Sequence, residues 1–279
     1  MDQQPFFVTG SPKSGTTWLG KLLDAHPEIS CSGEACVHKF TKSLIHISNE
    51  YNELLERRSE NFSESNKFPP LKEAEVHAMM RYFIELRMGI IADPNKTKLK
   101  LVGEKDPVHA ANFPILHKLF PEAKVLHIIR DGRDVALSAW HHNLRMKVKD
   151  VIDAGLGVFL DEAAKQWAWI LRRALDTAPI LGEQYLEVRY ERLLSDPLPQ
   201  MKRILSHLGA DATDETAQAC LDAASFEKLS QGRKQGEEDS KSFFRKGVAE
   251  DWKNQMTAAQ AQRFNARSEG LLEELGYQI

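Results

Sequence analysis

Short apolar runs alternate with longer stretches of helical periodicity along this chain. The runs that predict strands lie at residues 5–8, 98–103, 124–129 and 185–189. Strands that alternate with helices form parallel βαβ units. We therefore expect a three-layer α/β fold, in which a central, mostly parallel sheet lies between two layers of helices. The sequence shows no internal repeat, so we predict a single domain over residues 1–279.

Apolar residues at helical spacing predict a first helix that begins by Thr16 and ends before Pro27. Further helices are predicted at residues 36–58, 72–92, 108–119, 133–145, 159–181, 198–208 and 213–223. A last helix is expected from Thr257 to Leu275, because Thr257 and Gln260 have the spacing of a capping box.

Two polar stretches lack this periodicity. Residues 57–70, RRSENFSESNKFPP, predict a surface connection between two helices, and a lid over a site is the alternative. Residues 229–244 are rich in glycine, serine and charged residues, which predicts irregular structure there.

Composition and charge exclude several classes of protein. Hydrophobic residues make up 42% of the 279 positions, which excludes wholesale disorder. The formal net charge is −3, so the chain lacks the strongly basic character of a dedicated nucleic-acid binder. A local basic cleft for a small anion is compatible with this balance.

The sequence also indicates a compartment. No stretch approaches the ~18 consecutive apolar residues of a membrane span, and the first ten residues do not resemble a secretory signal. The three cysteines, Cys31, Cys36 and Cys220, form no CxxC pair and are expected to be free, buried thiols. We therefore expect a soluble, cytoplasmic protein.

The most informative segment is GSPKSGTTW, residues 10–18, which lies between a predicted strand and a predicted helix. Backbone N–H groups of such a loop, together with a helix N-terminus, form a cradle for phosphate. A nucleoside triphosphate loop has lysine directly after the second glycine, then Ser or Thr for magnesium. Here Thr16 stands at the lysine position and Lys13 lies inside the loop, where it can neutralise a leaving group without a metal.

The string PKSGTTW resembles the 5′-phosphosulfate loop of sulfotransferases that use 3′-phosphoadenosine-5′-phosphosulfate (PAPS). Residues 125–138, VLHIIRDGRDVALS, resemble the family's 3′-phosphate site, and 244–253, FRKGVAEDWK, resemble an Arg-Lys-Gly element of the cytosolic branch. Residues 24–34, DAHPEISCSGE, and 103–107, GEKDP, are more similar to the tyrosylprotein and carbohydrate branch. The resemblance implies a fold like that of P-loop nucleotide hydrolases. It also implies sulfuryl transfer from PAPS to a hydroxyl, with release of adenosine 3′,5′-bisphosphate (PAP).

The resemblance also implies which residues bind the nucleotide. They are Lys13, Ser14, Gly15, Thr16, Thr17, Trp18, Arg130, Ser138, Tyr190, Arg245, Lys246 and Gly247. Arg130 can offer a planar fork to the 3′-phosphate, and Ser138 can add a hydroxyl. The alternative for Arg130 is a salt bridge with Asp131 or Asp134. Trp18 is expected to stack on adenine, and core packing is the alternative for this side chain.

A base must take the proton of the acceptor hydroxyl. In the tyrosylprotein and carbohydrate branch a glutamate follows the first helix, and Glu34 lies at that position. Lys105 matches a lysine that stabilises the moving sulfuryl group. In the cytosolic branch a histidine lies two residues after that lysine, but here Pro107 stands there and the nearest histidine is His109. We therefore predict Glu34 as the base, with His109 as the alternative.

The acceptor is predicted to be a small alcohol, phenol, lipid or saccharide, bound by walls from residues 36–92 and 141–160. Two other functions are open. A P-loop kinase using ATP and magnesium is disfavoured by the missing Gly-Lys pair, and a non-catalytic nucleotide sensor is disfavoured by the catalytic set described above. Adjacent histidines His141 and His142 face different sides of a helix, so no metal is expected.

Overall fold

The computed structural model describes residues 3–60 and 68–279. Their strands form one five-stranded, fully parallel sheet with the order β2-β3-β1-β4-β5. The strands are β1 Gln4–Gly10, β2 Ile29–Ser32, β3 Leu101–Lys105, β4 Lys124–Ile129 and β5 Tyr185–Arg189. The phosphate loop predicted at residues 10–18 follows the central strand β1. The structure confirms the predicted α/β class and the parallel sheet.

Helices cover both faces of this sheet. The first seven are α1 Thr16–Asp24, α2 Val37–Ser59, α3 Glu73–Ile91, α4 Phe113–Leu119, α5 Gly132–Met146, α6 Lys149–Thr177 and α7 Tyr190–Ser195. The others are α8 Pro197–Leu208, α9 Asp214–Ala223, α10 Phe226–Leu229, α11 Trp252–Gln255, α12 Ala258–Arg267 and α13 Leu271–Glu274. Helices α1, α8 and α9 pack on one face, and α3, α4 and α6 pack on the other.

Strand β1 is buried on both faces, as a central parallel strand must be. Phe6 belongs to the apolar cluster on one face and Phe7 to the cluster on the other, because successive side chains point in opposite directions. Gly103 lies opposite Phe6 in the register of β1 and β3. A Cβ atom at Gly103 would come within 2.2 Å of the Phe6 ring, so this position leaves room for the ring.

The structure revises several element boundaries. Strand β3 begins three residues later than predicted, and β2 was not predicted at all. The predicted helix 108–119 is a 3₁₀ turn, Pro107–Ala111, followed by α4. The last helix divides into α12 and α13 around a left-handed Gly270, although the Thr257 capping box is confirmed.

Two of the three cysteine predictions hold. Cys31 and Cys220 are buried, and burial raises the pKa of their thiols to about 12 and about 11, respectively. Cys36 is exposed, so the expectation of a buried thiol there is wrong. Its backbone is left-handed (φ 53°) where the chain turns into α2, and this turn leaves the side chain outside the core.

Within the described residues, no helix is both long enough and apolar enough to cross a membrane. The lid considered for residues 57–70 depends on residues 61–67, which lie outside the described part of the chain.

Candidate functional site

One cavity of about 1000 Å³ opens at the carboxyl edge of the parallel sheet, where ligands bind in open α/β folds. Segments that follow all five strands supply candidate groups to this edge, because parallel strands end on the same side. Residues predicted for the site that line the cavity are Lys13, Gly15, Thr16, Thr17, Trp18, Glu34, Arg130, Ser138, Tyr190, Arg245, Lys246 and Gly247. Ser14, Lys105 and His109 are not among the lining residues, although Lys105 contacts the lining residue Glu34 and His109 directly follows the lining residue Val108.

The loop after β1 has the geometry of an anion cradle. Lys13 and Gly15 have left-handed backbones, with φ of 72° and 103°, and the Ser14 N–H donates to the Ser11 carbonyl over 3.0 Å. A Cβ atom at Gly15 would lie 2.7 Å from the Tyr190 ring, so glycine permits this close approach. The first N–H groups of α1 have no partner within the helix and can hold a phosphate. The buried Ser14 Oγ likewise has no hydrogen-bond partner among the described residues.

The Lys13 ammonium lies over the Phe243 ring, 5.3 Å from its centroid. Burial lowers the pKa of Lys13 below its ordinary value, and the nearby Arg145 guanidinium lowers it further. Glu34 acts in the opposite direction and raises this pKa. The loop therefore holds a partly desolvated cation beside the cradle.

Arg130 joins two loops that border one side of the cavity. Its guanidinium donates to the Lys13 carbonyl over 3.3 Å and to the Val248 carbonyl over 3.0 Å. It also stacks on Tyr190 at 4.4 Å and lies 3.6 Å from an Asp134 oxygen, so the salt-bridge alternative is present as well. The buried Nε of Arg130 has no partner within the described residues and remains a donor for an anion.

Residues 244–248, here called the late loop, carry the other cations of this side. Arg245 and Lys246 each contact Asp251 over 2.6 Å, which fixes both side chains beside the cavity. Gly247 has a φ of 68°, and a Cβ atom there would lie 2.3 Å from the Phe226 ring. Glycine at this position therefore permits both the left-handed backbone and the close packing of the loop on Phe226.

Trp18 and Tyr190 form an aromatic corner of the cavity. Their rings meet edge to face with centroids 5.5 Å apart, and the Trp18 indole N–H donates to the Ala224 carbonyl. Trp18 packs against the apolar core and also lines the cavity. Its position is therefore compatible with both expectations, stacking on adenine and packing in the core.

Glu34 and Lys105 meet at the opposite side of the phosphate loop. The Lys105 ammonium donates to Glu34 Oε1 over 2.7 Å. Lys105 ends β3 and is only 8% exposed, whereas the Glu34 side chain is 52% exposed. Glu34 therefore has carboxylate surface available to a bound molecule while it neutralises the buried ammonium.

His109 is buried and is not one of the residues that line the cavity. Its Nε2 atom lies 3.0 Å from Glu104 Oε2, and its ring packs edge to face on Phe7. Glu104 is fully buried, so the imidazole serves as the partner of an internal carboxylate.

Sequence reasoning missed a histidine that does line the cavity. His38, in the first turn of α2, has its Nδ1 atom 3.2 Å from Asp106 Oδ2. The sequence around His38 carries no motif, so only the fold reveals this pair. The one signal in the sequence is the position of Asp106 within GEKDP, residues 103–107.

The other wall of the cavity contains fewer charged groups. Residues 36–92 contribute His38, and residues 141–160 contribute His141, His142 and Arg145. The wall continues beyond those segments along one face of α6, which supplies Gln166, Trp169, Ile170 and Arg173. Trp169 is 60% exposed and offers a broad aromatic surface to a bound molecule.

The adjacent histidines His141 and His142 each form a hydrogen bond with another side chain. His141 Nε2 lies 2.7 Å from Gln255, and His142 Nδ1 accepts a hydrogen bond from Arg145 over 2.9 Å. Within the described part of the chain, no group of three or more histidine, cysteine, aspartate or glutamate residues is arranged to hold a metal ion.

Comparison with known proteins identifies two kinds of relative. Protein-tyrosine sulfotransferase A of Caenorhabditis elegans is 29% identical over 212 residues, which cover 73% of this chain and 50% of that protein. Cytosolic sulfotransferase 17 of Arabidopsis thaliana is 27% identical over 304 residues, covering 96% of this chain and 73% of the relative. The chain thus spans half the length of the first relative, and it resembles both branches.

A solved structure and a family model agree with these relatives. Mouse sulfotransferase SULT7A1 complexed with PAP has the same fold, with a TM-score of 0.58 and 19% identity over 99% of this chain and 85% of the mouse chain. The model described as "Sulfotransferase family" matches residues 5–214, which is most of the sequence. This chain therefore belongs to the sulfotransferase family.

Proposed function

We propose that this protein transfers the sulfuryl group of PAPS to a hydroxyl of an acceptor and releases PAP. The observation that carries the proposal is the convergence of two cationic groups on one cavity. One group contains Lys13, which lines the cavity, and Lys105, which contacts the lining residue Glu34, and the other contains Arg130 and the late loop. A nucleotide with phosphates at both its 5′ and 3′ positions needs two such groups.

The residues of the first strand and helix hold the 5′ side. Backbone N–H groups of the loop and the hydroxyls of Thr16 and Thr17 bind the 5′-phosphate. Lys13 neutralises charge on the bridging oxygen as the bond to sulfur breaks, and Lys105 balances charge on the sulfuryl oxygens. Both lysines thus act most strongly on the transition state, where that charge develops.

The residues of β4, α5 and the late loop hold the 3′ side. The buried Arg130 Nε, which has no protein partner within the described residues, fits a 3′-phosphate, and Ser138 adds a hydroxyl. Arg245 and Lys246 add positive charge, while Trp18 and Tyr190 offer rings to the base.

Glu34 is the proposed proton acceptor. It lines the cavity beside Lys105, and its exposed carboxylate can contact an acceptor hydroxyl. His109, the alternative, lacks this access because its ring is buried against Glu104 and Phe7. The acceptor we propose is a small alcohol, phenol, lipid or saccharide, and the aromatic face of Trp169 can support a ring of that kind. A cytoplasmic location is part of this proposal, supported by the cytosolic relative from Arabidopsis.

A thermal-shift titration tests the proposed donor. PAP without metal should raise the melting temperature, because it fills both cationic groups, and ATP with magnesium should raise it less at the same concentration. A larger shift with ATP and magnesium would favour the P-loop kinase instead.

A further inference from the structure

His38 and Asp106 form a directed pair in the wall of the cavity. The His38 Nδ1 atom lies 3.2 Å from Asp106 Oδ2, and the other carboxylate oxygen accepts the Val108 N–H over 3.0 Å. The Asp106 N–H in turn donates to the Val8 carbonyl of the central strand. Asp106 is therefore anchored on the sheet, and it fixes one edge of the imidazole.

This contact determines which nitrogen of His38 can act on a ligand. A carboxylate oxygen only accepts hydrogen bonds, so in the neutral imidazole the contact assigns the hydrogen to Nδ1 and the lone pair to Nε2. The His38 side chain is 37% exposed, whereas that of Asp106 is 6% exposed. The basic nitrogen, Nε2, is therefore on His38, the more exposed residue of the pair. The buried carboxylate of Asp106 can stabilise the imidazolium after protonation.

His38 lies on the same wall as the proposed base. Glu34 precedes α2 and His38 lies in its first turn, four residues later, and both line the cavity. One Glu34 oxygen is already engaged by Lys105. The other histidines of the cavity differ from His38, since His141 contacts an amide and His142 contacts a guanidinium rather than a carboxylate.

We propose that His38, oriented by Asp106, is a second catalytic base of this site and can take the acceptor proton in parallel with Glu34. The acceptor oxygen bonds to sulfur as the bond from sulfur to the bridging phosphate oxygen breaks, and that electron pair leaves with PAP. The hydroxyl proton passes to Nε2 of His38, which then loses it to solvent. This inference rests on the proposed sulfuryl transfer.

Parallel bases have a distinctive kinetic signature. Glu34→Gln and His38→Gln should each retain about half or more of wild-type kcat, because the other base remains. The double variant should lose on the order of 10²–10⁴-fold, the usual range for general-base help, and so far more than the product of the single losses. His46→Gln is the matched control, because His46 lies on the exposed side of α2 and pairs with Glu50.

The assay measures PAP released from PAPS, with 2-naphthol, a simple alcohol, N-acetylglucosamine and water as acceptors. PAP affinity and melting temperature are measured for each variant, so that a folding defect is recognised. Asp106→Asn can keep the hydrogen bond from Val108 while it removes the charge, and in the Glu34→Gln background it should slow turnover as His38→Gln does. Added imidazole should partly restore kcat in a Glu34→Gln, His38→Ala variant.

Nitrogen-15 NMR of the ring gives a readout that needs no acceptor. We expect His38 with hydrogen on Nδ1 and a bare Nε2, and a change of this tautomer in Asp106→Asn. A double variant no slower than the product of its single variants, or a wild-type His38 with hydrogen on Nε2, would overturn the inference. A wild-type protein that forms no PAP with any of these acceptors would instead refute the proposed function, and the tautomer would still report on the pair.

Discussion

The Arg130 guanidinium donates a hydrogen bond to the carbonyl of Lys13, 117 residues earlier in the chain, over 3.3 Å. The same guanidinium reaches Val248 in the late loop. Arg130 thus connects the loop proposed to hold the 5′-phosphate with the loop proposed to hold the 3′-phosphate. The two proposed phosphate sites therefore share contacts with one side chain.

Replacement of Arg130 should weaken the binding of a nucleotide with a 3′-phosphate more than the binding of a nucleotide without one. Arg130→Ala should weaken PAP binding by about 2–3 kcal/mol, roughly a 30- to 160-fold increase in Kd, because a charge-assisted partner is lost. Adenosine 5′-phosphosulfate, which lacks the 3′-phosphate, should lose much less affinity. Calorimetric titration of both nucleotides provides the test. Equal losses of affinity for the two nucleotides would show that Arg130 holds the two loops together and does not bind the 3′-phosphate.

Lys13 should act on turnover more than on binding. Lys13→Ala is expected to reduce kcat on the order of 10²–10³-fold, the range for removal of one group that stabilises developing charge. PAP affinity should change much less, because the backbone cradle remains. Lys21→Ala, on an exposed position of α1, is the control. Unchanged kcat together with a raised KM for PAPS would limit Lys13 to ground-state binding.

The activity should fall at alkaline pH. Burial, and then Arg145, lower the pKa of Lys13, so this ammonium loses its proton at a lower pH than an exposed lysine does. Since the role proposed for Lys13 needs the protonated form, kcat should decrease as pH rises through that pKa. Arg145→Gln removes one of the lowering influences, so the alkaline limb should move to higher pH. A pH profile whose alkaline limb stays in place, or moves to lower pH, would contradict this assignment.

Packing at the centre of the sheet gives a prediction of stability. Gly103→Ala should reduce the free energy of unfolding by about 1–3 kcal/mol, because its Cβ atom would overlap the Phe6 ring. The double variant with Phe6→Leu should lose less than the sum of the single losses, since the smaller side chain relieves the overlap. Denaturant unfolding measures these free energies. If the losses in the two single variants simply add up in the double variant, the overlap with the Phe6 ring is not the cause of the destabilisation.

Several features of the fold were predictable because they depend on local patterns. The strands β4 and β5 were placed at their observed bounds, and Thr257 caps α12 as its spacing indicates. Strand β2 was missed because its four residues, ISCS, contain two serines and show no apolar run. It is a strand because Ile29–Ser32 pairs with β3 at the edge of the sheet, and such a long-range pairing leaves no local signal.

The candidate site also contains residues that the sequence identifies and residues that only the fold identifies. The glycines and lysine of residues 10–18 carry a recognisable spacing, whereas His38 acquires its significance only when the fold places it beside Asp106. The partner of His109 is likewise visible only in the fold, which brings its ring against the buried carboxylate of Glu104 on β3. Spacing along the sequence therefore locates the phosphate loop, but contacts between distant segments determine the orientation of each side chain.

The most direct test of the proposed function follows the sulfuryl group itself. The protein is incubated with [³⁵S]PAPS and a panel of phenols, alcohols, lipids and saccharides, with EDTA in one arm and magnesium in the other. We expect ³⁵S on an acceptor hydroxyl and one PAP for each product, at equal rates in both arms, because fixed cations supply the required positive charge. A protein that leaves PAPS unchanged with every acceptor, but transfers the γ-phosphate of ATP when magnesium is present, would contradict the account.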